Sequence, residues 1–136
     1  MPYLERTQMK TVLIVEDQIE TLAIHSAYLE HHGYRVLRAE NGQEGVESAR
    51  LHRPDLILMD LSVPRLDGFG ATEALKSDPE TEHIPILVMT AHAYGSVGRR
   101  AVAAGCDGFI SKPVDPRRVL EEVRRHIGPG GGEPGS

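Results

Sequence analysis

The run Leu56-Ile57-Leu58-Met59-Asp60 constrains this chain more than any other segment. Its four apolar side chains in succession, with Pro54 before and Pro64 after, read as a strand buried on both faces. Strands of that kind belong to parallel sheets covered by helices on both sides. The run stops on a carboxylate, and the carboxyl edge of an open parallel sheet is where ligands and reacting groups collect. A second run, Thr11-Val12-Leu13-Ile14-Val15, stops in the same way on Glu16 and Asp17.

Five strand candidates alternate with five helical stretches. The strands are Thr11–Val15, Tyr34–Ala39, Leu56–Asp60, Ile86–Thr90 and Gly108–Ser111. The helices are about Gln18–His31, Asn41–Leu51, Gly68–Lys76, Gly98–Ala104 and Pro116–His126. Gly33 suits the position just past a helix end, Asn41 suits an N-cap, and Pro116 suits a first helical residue. Strict alternation implies right-handed crossovers between parallel strands. The predicted fold is α/β, a flavodoxin-like doubly wound sheet of five parallel strands in the order 2-1-3-4-5 with helices on both faces. Residues 1–9 read as an N-terminal extension and 10–127 as one domain. Residues 128–136, rich in Gly and Pro, read as a disordered tail that resembles the start of a linker.

Composition removes several classes of function. At 136 residues the chain is long enough for one core. No apolar run approaches the ~18 residues of a membrane span, and Met1–Lys10 has no signal-peptide core, so a cytoplasmic protein without a membrane role is expected. A formal charge of −5 and the lack of a Lys/Arg cluster argue against direct nucleic-acid binding. The pairs Arg99-Arg100, Arg117-Arg118 and Arg124-Arg125 read as solvated helix faces. Cys106 is the single cysteine, so no internal disulfide can form, and no His stands at a spacing that would make it a nucleophile. His31-His32 lacks the i,i+4 spacing of a helical metal pair.

In the 2-1-3-4-5 order strands one and three are neighbours where the winding reverses, and a crevice opens at their carboxyl ends. Glu16, Asp17 and Asp60 then meet there, joined by Thr90 from the fourth strand end and Lys112 from the fifth. Three carboxylates so close repel, and one takes up a proton unless a cation intervenes. Mg²⁺ suits such a site, because it takes oxygen ligands and keeps waters. Asp60 is placed to be a nucleophile toward phosphorus. Lys112 can pair with Asp60 at rest and with a phosphoryl oxygen afterwards, and Thr90 can donate to that same oxygen.

Four motifs together resemble the receiver domain of bacterial two-component response regulators, of the single-domain, chemotaxis-regulator-like kind. They are Val15-Glu16-Asp17, Leu58-Met59-Asp60-Leu61-Ser62-Val63-Pro64 with Asp67-Gly68, Met89-Thr90-Ala91, and Gly108-Phe109-Ile110-Ser111-Lys112-Pro113. The likeness covers roughly Lys10 to Ile127. It implies that Asp60 accepts a phosphoryl group from a phosphohistidine on a histidine kinase or a histidine phosphotransfer protein. It implies Asp17, Asp60 and the Ser62 backbone carbonyl as Mg²⁺ ligands, with Glu16 acting through water. It further implies contacts from Thr90 and Lys112 to the phosphoryl oxygens and a cis Lys112-Pro113 bond. Phe109 occupies the place of a switch aromatic, where many relatives carry Tyr. Ser62 and His92, two residues beyond Asp60 and Thr90, depart from the commonest choices at positions that flank the attacking water.

The resemblance implies a phosphorylation-controlled binding module rather than an enzyme, one that assists its own phosphorylation and dephosphorylation. The output is expected to be a protein contact through the fourth helix, fifth strand and fifth helix, around Val97, Arg99, Arg100, Phe109 and Val119. The input partner is expected to dock on the first helix, at Thr21, Ile24 and Tyr28, and on Pro113. At 100° per residue, Ile19, Leu22, Ala23, Ser26, Ala27 and Leu29 fall on the predicted sheet-facing side, and Ile24 and Tyr28 on the wet side. Two alternatives differ in class. One is a receiver fragment of a hybrid histidine kinase or multidomain regulator. The other is an aspartate-nucleophile phosphatase of the haloacid dehalogenase type, which needs a second Asp where Ser62 stands.

Overall fold

The structure, a computed structural model, describes residues 9–132. The predicted extension at residues 1–9 therefore falls, apart from Met9, outside the described residues, as does the end of the tail at 133–136. Ten elements alternate: β1 (Thr11–Val15), α1 (Ile19–His31), β2 (Arg35–Ala39), α2 (Gly42–His52), β3 (Leu56–Asp60), α3 (Gly68–Lys76), β4 (Ile86–Thr90), α4 (Ser96–Ala104), β5 (Gly108–Ser111) and α5 (Pro116–Ile127). All neighbouring strands are parallel, and the sheet order is β2-β1-β3-β4-β5, as the alternation predicts.

Successive side chains of a strand point to opposite faces, so each central strand feeds two cores. Leu13, Val15, Ile57, Met59, Ile86 and Val88 pack with Val46, Ala49, Ala71, Leu75 and Ala101 of α2, α3 and α4. Val12, Ile14, Leu56, Leu58, Leu87 and Met89 pack with Leu22, Leu29, Val119, Leu120 and Val123 of α1 and α5. That two-sided demand is why β3 and β4 are buried at every position and read as continuous apolar runs.

Caps fix the helix starts on the reactive rim. The Asn41 side chain accepts from the Glu44 N–H at 2.9 Å and donates to the Glu44 carboxylate, so α2 begins one residue after the predicted cap. Asp67 accepts from the Gly70 N–H at 2.8 Å, and Asp115 from the Arg117 N–H at 2.8 Å, with Pro116 in the first turn of α5. The loop from β3 to α3 is tied to the start of α2: the Gly42 and Gln43 N–H groups donate to the Pro64 and Arg65 carbonyls at 3.2 and 3.0 Å. A Cβ on Gly42 would overlap the Leu66 carbonyl oxygen, so this approach needs glycine.

Three expectations are corrected. The described part of the tail, Gly128–Gly132, is packed: Gly130 O accepts from the Lys10 N–H at 2.6 Å, the Gly132 N–H donates to Gly33 O at 3.0 Å, and the Tyr34 hydroxyl donates to Gly128 O. Composition misleads here because glycine backbone alone does the packing, and a Cβ on Gly130 would sit 2.5 Å from the Gly33 carbonyl. On α1 the buried stripe is Leu22, His25, Ser26 and Leu29, while Ile19 is 70% exposed and Ala23 and Ala27 also face out. Apolar residues lie all around this helix, so hydropathy alone does not fix its rotation, and contact with the α5 side selects His25 instead. Val119, predicted on the output face, is buried in the core beneath α1 and α5.

Candidate functional site

Register builds the acidic end. Val15 pairs with Met59, so the next residues, Glu16 and Asp60, come level at the carboxyl edge. Asp17 follows Glu16 on the surface. Each of the three carboxylates offers an oxygen within 4.8 Å of the others. Asp60 and Glu16 are 2% and 3% exposed, whereas Asp17 faces solvent.

The basic and hydroxyl groups arrive from β4 and β5. Thr90 pairs with Ser111, and the Lys112 N–H donates to the Thr90 carbonyl at 2.9 Å, which holds Lys112 just past the strand end. Its Nζ reaches Asp60 Oδ1 at 2.9 Å. The Ser62 N–H and hydroxyl donate to the same oxygen at 2.9 and 2.8 Å. Thr90 Oγ1 accepts from the His92 N–H at 3.1 Å. Lys112-Pro113 is cis. Asp60, Ser62, Thr90, His92 and Lys112 line one cleft of about 270 Å³, closed on its other side by Phe69, Ala91 and Val97.

Electrostatics divides the two buried acids. Burial is the largest influence on Glu16 and, with the hydrogen bond it shares with Asp60, pushes its carboxyl up to about 7. Burial also opposes ionisation of Asp60, but the Ser62 N–H, the Lys112 ammonium, the Glu16 hydrogen bond and the Ser62 hydroxyl together outweigh it and hold that carboxyl below the usual range. The cluster thus favours the ionised form of Asp60 and disfavours that of Glu16. Excess negative charge on hard oxygen donors is the condition that a divalent cation relieves, so the donor set fits Mg²⁺.

The structure therefore brings Glu16, Asp17, Asp60, Ser62, Thr90 and Lys112 to one place. Phe109 is half-buried, packed on the core, and lines a separate groove with Tyr94, Arg99 and Val102. Thr21 and Pro113 meet along a cleft of about 360 Å³ beside the acidic group, which His25 also lines. Ile24 stands apart from them, 57% exposed on α1. Tyr28 is half-buried against the core and is not the wet-face residue expected from periodicity. Two features escape sequence reasoning: the Ser62 hydroxyl bound to Asp60, and Phe69 in the cleft wall. Ser62 is detectable only as a short polar residue at i+2, where such side chains fold back on a turn.

The chain resembles known proteins along nearly its whole described length. The family model for the response regulator receiver domain matches residues 12–124. The polar-differentiation response regulator DivK of Brucella anthropi is 40% identical over 119 residues, which is 88% of this chain and 97% of that protein. Its counterpart in Brucella abortus is 38% identical over the same shares of both chains. The chemotaxis protein CheY4 of Vibrio cholerae superposes with a TM-score of 0.82 at 30% identity, over 87% of this chain and 98% of its own. The receiver domain of the sensor histidine kinase PA1611 of Pseudomonas aeruginosa, solved with a magnesium ion coordinated in its active-site cleft, gives 0.81 at 32% identity, over 88% and 98%. A receiver family, a CheY-like fold and an acidic group at the switch point agree, and the chain belongs to the response regulator receiver family of two-component phosphorelays.

Proposed function

We propose that Asp60 is the phosphoacceptor, taking a phosphoryl group from a phosphohistidine on a histidine kinase or a histidine phosphotransfer protein. The observation that carries this reading is the Asp60 carboxylate itself. It is buried, kept ionised, and met by three donors on Oδ1, none of which reaches Oδ2. A lone pair on Asp60 bonds to phosphorus, the phosphorus–nitrogen bond breaks, and the imidazole leaves with a proton. Lys112 is placed to follow the charge from the carboxylate to a phosphoryl oxygen, and Thr90 to turn its hydroxyl toward the same group. Asp17, Asp60 and the Ser62 backbone carbonyl would hold Mg²⁺, with Glu16 reaching it through water. When bound, the ion supplies positive charge to the transferring group. In this sense the chain assists its own phosphorylation and dephosphorylation without turning over a separate substrate.

Movement of Thr90 toward the phosphoryl group leaves room for Phe109 to turn inward, and the groove at Tyr94, Arg99 and Val102 changes shape with it. That α4-β5-α5 face is the output surface for a protein target, with neither nucleic acid nor membrane as its ligand. The input partner docks across Thr21, Pro113 and Ile24. In the described residues no helix is long and apolar enough to cross a membrane. The phosphatase alternative is disfavoured, because its second acid would have to stand at Ser62.

The test is labelling by acetyl phosphate with Mg²⁺. The wild type should take an acid- and base-labile acyl phosphate, and Asp60→Asn should take none. Undiminished, acid-stable label on Asp60→Asn would remove Asp60 from the role.

A further inference from the structure

Phe69 is the first residue after the Gly68 start of α3, and its ring forms one wall of the cleft that holds Asp60, Ser62 and Thr90. On this ring sits a cation from another helix: Arg100 Cζ of α4 lies 4.1 Å from the ring centroid. Arg100 is exposed and makes no ion pair among the described residues, so its charge has the aromatic face as its partner. Behind the ring the apolar wall continues through Ala91 and Val97.

We propose that Arg100 is a positioning residue that, by holding Phe69 against the phosphoryl cleft, sets how long the aspartyl phosphate lasts. The proposal rests on Asp60 as acceptor. Loss of the phosphoryl group needs a water oxygen to bond to phosphorus as the bond from phosphorus to the Asp60 oxygen breaks. The products are the carboxylate and inorganic phosphate, with a proton released to solvent. An apolar ring in the wall of a 270 Å³ cleft limits the directions from which that water can come. Phe69 lies in the first turn of its helix and is only half-buried, so packing from behind leaves its outer face unsupported. The guanidinium supplies that support through its attraction to the ring face. The stack also joins α3 to α4, so the wall and the start of the output face move together.

The full chain, labelled with acetyl phosphate and freed of donor, is followed for first-order loss of acyl phosphate. Arg100→Ala should shorten the half-life about two- to fivefold, what an exposed cation–π contact is worth. Phe69→Leu, apolar but without a π face, should shorten it similarly, and Arg100→Ala in that background should add nothing. Arg100→Lys, which keeps a cation, should preserve most of the wild-type half-life. Arg100 is exposed, so its variants should stay folded and melt within a few degrees of the wild type, which separates positioning from general unfolding. A half-life unchanged or lengthened in Arg100→Ala, or full additivity in the double variant, would overturn the proposal while leaving Asp60 as acceptor. Absence of label on the wild type would overturn the acceptor assignment and this inference with it.

Discussion

Lys112 Nζ and Asp60 Oδ1 are 2.9 Å apart, although 52 positions of chain separate the two residues. The pair spans from the end of β5 to the end of β3 across β4, and it ties a one-third-exposed ammonium to a buried carboxylate. The cation that a phosphoryl group would need is thus in place while Asp60 is still free. Lys112→Met removes it and leaves Asp60 facing Glu16 with only the Ser62 donors. The expected cost in metal-free buffer is about 1–3 kcal/mol in urea unfolding, the range for a buried group losing a charged partner. Mg²⁺ should restore part of that loss, since it replaces the missing positive charge. A variant as stable as the wild type without metal would show that the pair adds nothing to the fold.

Binding of a cation to the native state alone raises the melting temperature, by an amount that grows with the logarithm of cation concentration above its dissociation constant. Millimolar Mg²⁺ should therefore raise the melting point of the wild type. Asp17→Ala, which deletes the solvent-facing member of the acidic group, should lose most of the rise. Equal shifts for the two proteins would take Asp17 out of the ligand set.

The pH dependence of stability has two opposed parts. Glu16 has its native carboxyl raised from 4.5 to about 7, so the native state holds a proton that the unfolded chain has lost. Its contribution is present below pH 4.5 and is lost as pH rises to about 7. His25 is buried, and burial lowers its titration from 6.5 against the pull of Asp115. Its contribution is present above pH 6.5 and is lost as pH falls below that value. Without metal, Glu16→Gln should remove the decline toward neutral pH, and His25→Gln should flatten the acid side. Urea titrations from pH 5 to 8 read both, and a Glu16→Gln profile parallel to the wild type would contradict the assignment.

Ile24 is the cleaner probe of the proposed input surface, because it is exposed whereas Tyr28 is half-buried. Ile24→Asp should slow phosphotransfer from the cognate phosphohistidine protein at least about tenfold, worth roughly 1.4 kcal/mol. Labelling by acetyl phosphate, which needs no docking, should be unchanged. Equal slowing with both donors would point to damage of the site instead. Tyr28→Asp is a poorer test, since it places a charge on a half-buried position packed against the core.

The strands were legible almost to the residue, because central parallel strands must be apolar on both faces and leave little freedom of register. Asn41 and Pro116 were legible as helix starts for a local reason, the N–H groups that a first turn leaves unpaired. Glu16, Asp17, Asp60, Thr90 and Lys112 followed from strand ends and sheet order. The rotation of α1 did not follow, because its apolar residues form no single stripe and contact with α5 decided it. The packing of Gly128–Gly132 was hidden for the opposite reason: backbone groups make those bonds, and composition records side chains. The Arg100 stack on Phe69 joins two helices with no mark in the spacing of either residue.

The two loops that frame Asp60 are held unequally. The one leaving β3 is fastened to α2 at Gly42 and Gln43, at a separation that admits no side chain. The one leaving β4, Ala91–Tyr94, makes no backbone hydrogen bond to another element among the described residues, and its close approach, the Ala93 carbonyl against Gly98, is to the helix it leads into. A strain introduced at Asp60 therefore finds a fixed bank on one side and a yielding one on the other. If Asp60 is the acceptor, a displacement there would meet more resistance on the α2 side than on the α4 side, and the bracing of the rim, rather than the site alone, would choose its direction.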